Sequence, residues 1–207
     1  SVRNILFIER DGIGYNVSLQ VLDAILCHNG EMLSKKYMPD YDKTIAQFWQ
    51  EYEDCWHQKN TSLIIRPMTL EGCVVRVSDV ISYIGKDIED AIKVGIIKQS
   101  DLPKEVTLKH PQILGSLTAL NIDRSLIGDI VIHSYGKPYL RFSNEVFSAL
   151  KTLLNFLSNR VHQHPVLVKE NTKLVRMINQ LYHVYYDELT DPNNHDCKIK
   201  AFVNKMA

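Results

Sequence analysis

The chain has 207 residues, of which 45% are hydrophobic and 23% charged, and this composition is typical of one soluble globular domain with a real core. Its 24 Lys and Arg residues equal its 24 Asp and Glu residues in number, so the formal net charge is zero. A zero net charge argues against a nucleic-acid binder that depends on a diffuse basic field, although a local basic pocket stays possible.

The first half of the chain predicts two helices before residue 60. Apolar residues over 17–26 predict a short helix that Gly30 closes. A polar loop over 37–42 follows, and the next helix is predicted from Thr44 to about Lys59. The aromatic residues of this second helix are Phe48, Trp49, Tyr52 and Trp56. We expect Trp49 and Trp56 to lie in the core, and the alternative is that this helix forms an oligomer surface.

The second half predicts further helices. Pro67 interrupts the chain, and Thr69 caps a long helix that runs to about Gly95. A connector over 100–111 precedes a helix to about residue 120. Later helices are predicted over about 123–134, from Ser143 to about Val161, and from Pro165 onward, before a turn over 191–194. In the last helix, apolar side chains recur at Leu174, Ile178, Leu181 and Tyr185. The chain is therefore predicted to be an all-α domain, or a helical piece of a larger protein.

Two features predict a cytoplasmic protein. The four cysteines, at positions 27, 55, 73 and 197, form no C-x-x-C pair, so a zinc knuckle is not indicated and free thiols suit a reducing compartment. The N-terminus has no secretory signal pattern, and no apolar run is long enough to cross a bilayer. We therefore expect no membrane association.

The predicted helix after Thr69 divides into two sides. At about 100° per residue, one side is apolar and consists of Val77, Ile81, Ile84, Ile88 and Ile92. The other side gathers Arg76, Asp79, Tyr83, Asp87 and Asp90. A solvated face with ion pairs such as Arg76–Asp79 is one interpretation. The other is a site for a divalent metal ion and a phosphorylated ligand, because three Asp residues are unusual inside a helix.

The segment Thr69–Ala91 resembles the bacterial dGTPase-like hydrolases of the HD-domain superfamily. The family pattern D-x-x-x-Y-x-x-x-D is present as Asp79, Tyr83 and Asp87. The stretches over 12–31, 123–134 and 143–156 resemble the same family in the same order. The resemblance implies an HD-domain-like helical bundle over 1–160, with a C-terminal helical extension over 161–207.

The resemblance also implies roles for individual residues. Asp79 would be the last ligand of a divalent metal ion, Mg²⁺ or Mn²⁺. Tyr83 and Asp87 would bind the deoxyribose, and Arg124 would hold the triphosphate. Arg76 would bind substrate or, alternatively, form an ion pair with Asp79 or Asp90. His28 is interpreted as a histidine that caps the end of its helix.

The sequence departs from the family in two places. The family's first His and its His-Asp dipeptide should precede the helix of Asp79, and neither is present there. The dipeptide His195-Asp196 is interpreted as a coincidence, and His162 and His164 as a surface hinge rather than metal ligands. The family has His where Lys86 stands. Because one Asp cannot hold a catalytic metal, we expect the chain to be the C-terminal part of a longer enzyme and to be inactive alone.

The expected activity of the whole protein is hydrolysis of a deoxynucleoside triphosphate to deoxynucleoside and tripolyphosphate. The alternative is a non-catalytic helical module that binds nucleotide or a partner subunit, including a second copy of the chain.

Overall fold

The structure is a computed structural model, and it describes residues 9–10, 13–14, 17–29, 33–109 and 119–191. The predictions for Gly30, for most of 110–120, for the turn after Asp191 and for His195-Asp196 lie outside these residues. The chain divides into two compact units, Ser1–Leu157 and Ser158–Ala207. Helices dominate the described residues, which confirms the predicted all-α class. None of the described helices is long and apolar enough to cross a membrane.

The first unit contains seven described helices and four two-residue strands. The helices are α1 (Leu19–Leu26), α2 (Ile45–His57), α3 (Thr61–Ile64), α4 (Leu70–Lys93), α5 (Lys104–Lys109), α6 (Ala119–Ser134) and α7 (Asn144–Leu157). A 3₁₀ turn, Gln99–Asp101, lies before α5. The strands form two antiparallel pairs, β1 (Glu9–Arg10) with β2 (Ile13–Gly14) and β3 (Lys36–Tyr37) with β4 (Leu140–Arg141). The sequence did not predict these strands.

The helices begin where the sequence provides capping residues. Thr44 caps α2, and its side chain and that of Gln47 form a reciprocal capping box. The Thr69 side chain accepts the Gly72 N–H at the start of α4, as predicted. Helix α4 ends at Lys93, and Gly95 then adopts a left-handed conformation with φ of 75°. The predicted boundaries of these two helices are therefore correct to within about two residues.

Helix α4 is the centre of the first unit and packs against α1, α6 and α7. Its apolar stripe is buried as predicted, with Val77, Ile81, Ile84 and Ile88 at most 5% exposed, while Ile92 is half-buried. Helix α6 contributes Ile122, Leu126 and Ile130 to the core, at helical spacing. The opposite side of α4 is thereby left toward solvent, and Asp79, Tyr83 and Asp87 lie on that side.

The prediction that Trp49 and Trp56 lie in the core is wrong. Phe48 is fully buried, whereas Trp49 is 42% and Trp56 58% exposed. The three rings of Trp49, Tyr52 and Trp56 instead contact one another edge to face along the surface of α2, with centroids 5.8 and 6.2 Å apart. A helix of 13 residues at the surface packs only one of its sides against the core. In α2 that side carries Phe48, so Trp49 and Trp56 remain exposed.

The second unit contains a π-helical turn, Ser158–His162, followed by α8 (Pro165–Thr190). Pro165 stands at the start of α8, where its missing N–H costs no helical hydrogen bond. Helix α7 is therefore shorter than the helix predicted from Ser143 to Val161. It ends at Leu157, and the π-helical turn follows.

Candidate functional site

The solvent-facing side of α4 presents Asp79, Tyr83 and Asp87 on three successive turns. Asp79 and Asp87 are half-buried, and Tyr83 is 56% exposed. Spacing of four residues at 1.5 Å each places neighbouring members about 6 Å apart along the helix axis. We call these three residues the acidic strip. Two carboxylates flanking an exposed phenol ring can accept hydrogen bonds from sugar hydroxyls or bind a cation.

Lys86 and Asp90 border the acidic strip and form an ion pair. The Lys86 ammonium lies 3.0 Å from Asp90 Oδ1, and both side chains are more than half exposed. The hydrogen bond to Asp90 raises the pKa of Lys86 above its usual value. The i,i+4 pair places Lys86, which stands where the family has His, on the exposed surface of the helix.

Arg76 is buried and is not part of the exposed strip. Its two terminal nitrogens donate to the carbonyl oxygens of Ile65 and Leu63, at 2.6 and 2.8 Å. These carbonyls belong to the end of α3 and the segment that leads to α4. Arg76 therefore joins that connection to α4, a role that the helical periodicity could not predict because both acceptors are backbone atoms.

Arg124 lies on the solvent-facing side of α6. It is exposed, and it lies about 160° around the helix from the buried stripe of Ile122, Leu126 and Ile130. The neighbouring Asp123 was not singled out from the sequence. Its Oδ1 is buried without a hydrogen-bond partner among the described residues, and burial raises its pKa above the usual value.

The described residues do not form a complete metal site at Asp79. Among the described residues, three potential metal ligands converge elsewhere, at Asp23, Cys27 and Glu51. Their ligand atoms lie within 4.8 Å of one another. The ammonium of Lys43 already occupies this cluster, at 2.9 Å from Asp23, 2.6 Å from Glu51 and 3.7 Å from Cys27 Sγ. A protein cation therefore fills the position that a metal ion would take.

The cluster around Lys43 positions the start of α4. Asp23 is fully buried, and its second oxygen accepts the backbone N–H of Met68 at 2.6 Å. Burial opposes the charge on Lys43, but its hydrogen bonds to Glu51 and Asp23 outweigh this effect and raise its pKa. Burial also raises the pKa of Cys27 far above its usual value, so this thiol stays protonated. Sequence reasoning missed the cluster because Lys43 lies 20 residues after Asp23 and outside the helix that holds it.

A cavity of about 170 Å³ lies beside β3 rather than at the acidic strip, and Lys36, Arg66 and Arg76 line it. Each of the three cations has a contact within the chain. Lys36 lies 3.9 Å from the centre of the Tyr139 ring, and Arg66 lies 3.4 Å from Asp40. Arg76 binds the two carbonyls described above. The cavity is therefore not assigned a ligand.

His28 caps a helix, as the sequence predicted. Its Nδ1 donates to the carbonyl oxygen of Ile25 at 2.6 Å, just beyond the last turn of α1. This contact satisfies a terminal carbonyl of the helix.

The chain is similar to several proteins named deoxyguanosinetriphosphate triphosphohydrolase-like protein. The relative from Caldanaerobacter subterraneus subsp. tengcongensis is 31% identical over 91% of this chain and 44% of its own length. The relative from Clostridium perfringens strain 13 is 30% identical over 96% of this chain and 50% of its own length. That from Desulfatibacillum aliphaticivorans is 26% identical over 99% of this chain and 50% of its own length.

A protein-family model matches a shorter part of the chain. A family model described as a putative RNA-binding domain in YlmH matches residues 87–172, which is less than half of the sequence. No solved structure matches the chain significantly. The similarity to the triphosphohydrolase-like proteins extends over nearly the whole chain, which spans about half the length of these curated relatives. The chain is therefore a homologue of the deoxyguanosinetriphosphate triphosphohydrolase-like proteins over about half of their length.

Proposed function

We propose that this chain provides part of the substrate site of a metal-dependent enzyme that hydrolyses deoxynucleoside triphosphates to deoxynucleoside and tripolyphosphate. The observation that carries the proposal is the acidic strip, in which Asp79, Tyr83 and Asp87 share one solvent-facing side of α4 while the opposite side is buried. The names of the homologues support the same reaction.

The three residues of the strip have different roles in this proposal. The Tyr83 ring offers a surface for the deoxyribose, and Asp87 accepts a hydrogen bond from a sugar hydroxyl. Asp79 provides one oxygen ligand for Mg²⁺ or Mn²⁺. The carboxylates alone would repel a triphosphate, so a cation has to lie between Asp79 and the phosphates. Arg124 is proposed to contact the phosphates from α6.

The remaining metal ligands have to come from outside the described residues, since no two further candidate ligands converge on Asp79 within them. The activity is therefore proposed for a protein of the relatives' length that contains this chain. The chain by itself is expected to release no tripolyphosphate.

The test is an assay of that longer protein with each dNTP and Mg²⁺ or Mn²⁺, followed by chromatography of nucleoside and tripolyphosphate. Asp79→Asn should abolish turnover, and Tyr83→Phe and Asp87→Asn should mainly raise KM. Glu71→Gln is the matched control, because Glu71 is exposed on the same helix but on a different side. Intact dNTPs with every metal would reject the enzymatic proposal.

A non-catalytic nucleotide-binding module is the second candidate. The observation that favours it is the incomplete metal site among the described residues. Calorimetry of this chain with dGTP, with and without EDTA, separates the candidates. Binding that does not depend on metal, together with no turnover in the longer protein, would favour the module.

A further inference from the structure

Helix α8 exposes large apolar side chains along its whole length. The helix has 26 residues and none of them is buried. Twelve of its large apolar side chains are between 39% and 61% exposed. Soluble monomers rarely expose apolar patches larger than a few hundred Å². A helix with such a surface is suited to association with a partner.

The apolar residues of α8 follow a seven-residue repeat. Leu167, Leu174 and Leu181 recur at intervals of seven, and Asn171, Ile178 and Tyr185 recur at the same interval, four residues later. These are the d and a positions of a coiled coil, respectively. The positions farthest from this seam are polar and are occupied by Lys169, Arg176 and His183. The helix therefore has one defined contact side rather than a general apolar character.

The residue types at a and d indicate which partner fits. Leu at three of the four d positions of α8, the fourth being Glu188, together with Ile at an a position favours two strands. Asn171 is a polar residue at an a position, and its amide is satisfied when it faces the same amide of an identical helix. That pairing arises only when two copies run parallel and in register. The partner with the matching surface is thus a second copy of α8.

The available area agrees with a stable pair. A standard protein interface takes about 800 Å² from each partner. Ten of the twelve exposed apolar side chains lie at the seam or in the rows beside it, and because each is about half exposed they supply an area of that order. The row beside the seam is also apolar and widens the contact; it consists of Val168, Val175, Tyr182 and Leu189.

We propose that two copies of this chain associate through α8 as a parallel two-stranded coiled coil, with Leu174, Ile178 and Leu181 at the centre and Asn171 facing its counterpart. This association is independent of the proposed enzymatic activity.

Sedimentation velocity of the chain tests whether it is a dimer in solution. The wild type should sediment as a dimer, and the double variant Leu174→Asp/Leu181→Asp should sediment as a monomer of half the mass. The matched control is Arg176→Asp/His183→Asp, which places the same charges on the polar side and should stay dimeric. A wild type that is monomeric at all concentrations, or a trimer or tetramer, would overturn the proposal.

Disulfide trapping tests the direction and register. Asn171→Cys, in a background with Cys55→Ser and Cys197→Ser, should form a disulfide-linked dimer on mild oxidation, because parallel a positions approach within disulfide range. His183→Cys on the polar side should not. A dimer in which Asn171→Cys fails to crosslink would rule out the parallel in-register arrangement.

Discussion

Lys43 donates a hydrogen bond of 2.9 Å to Asp23 inside the core, and neither side chain is more than 1% exposed. Removing one partner of a buried ion pair costs about 3–5 kcal/mol when the other charge is left uncompensated. In Asp23→Ala, Lys43 keeps its hydrogen bond to Glu51, but the buried N–H of Met68 loses its acceptor. We therefore expect Asp23→Ala to lower the free energy of unfolding by up to about 3–5 kcal/mol in urea denaturation. Glu53→Ala removes a carboxylate from an exposed pair with His57 and should change stability by less than about 0.5 kcal/mol. Equal losses for both variants would contradict the structural role of Asp23.

Gly72 and Gly128 give opposite expectations for the same substitution. A Cβ at Gly72 would lie 2.5 Å from Pro67 Cβ, whereas a Cβ at Gly128 would have no atom within 4 Å. Alanine gains about 1 kcal/mol over glycine inside a helix. Overpacking costs about 1–3 kcal/mol.

We therefore expect Gly72→Ala to destabilise the protein and Gly128→Ala to stabilise it by about 1 kcal/mol. Thermal unfolding of both variants decides the question, and a rise in Tm for Gly72→Ala would show that Pro67 can move aside.

Asp123 should make stability depend on pH. Burial raises the pKa of its carboxyl above the ordinary value of 3.8, so the folded state holds this proton to higher pH than the unfolded state. The charged carboxylate thus lowers stability above the folded pKa, and this cost disappears below pH 3.8. Asp123→Asn should be more stable than the wild type at pH 7, and the difference should vanish near pH 3. An Asn variant that is less stable at pH 7 would indicate that the carboxylate has a favourable partner.

The cysteines should differ in their reaction with thiol reagents. Burial raises the pKa of Cys73 to about 11 and that of Cys27 still further, whereas Cys55 is only half-buried. The thiolate is the reactive form. In a Cys197→Ser variant at pH 8, we expect one thiol to react rapidly and two to react only after denaturation. Mass spectrometry of the labelled peptides should identify the rapid thiol as Cys55.

The sequence predicted the local features of the site helix well. The period of 3.6 residues identified the buried stripe of α4, and Thr69 gave its start, because both depend on residues close together in the chain. The same periodicity separated Asp79, Tyr83 and Asp87 from the core.

Features that depend on distant contacts were not predictable in the same way. Lys43 can be buried because it binds Asp23, which lies 20 residues earlier in the chain. A lysine within a polar stretch of sequence does not indicate such a partner. Arg76 was predicted to lie beside Asp79 and Tyr83, but it is buried because it binds backbone carbonyls of a neighbouring segment. Trp49 and Trp56 are apolar enough for the core, but the packing of α2 selected Phe48.

The hydrogen bond from Met68 N–H to Asp23 has a consequence for mutational scanning. Met68 directly precedes the capping residue of α4, so the Asp23 carboxylate helps to set the angle at which that helix presents Asp79 and Tyr83. If the proposed activity holds, substitutions at Asp23 that still permit folding should therefore resemble variants of the proposed substrate site in an activity screen. A map of loss of function drawn without stability data would place Asp23 among the residues that contact substrate, although it lies within the core.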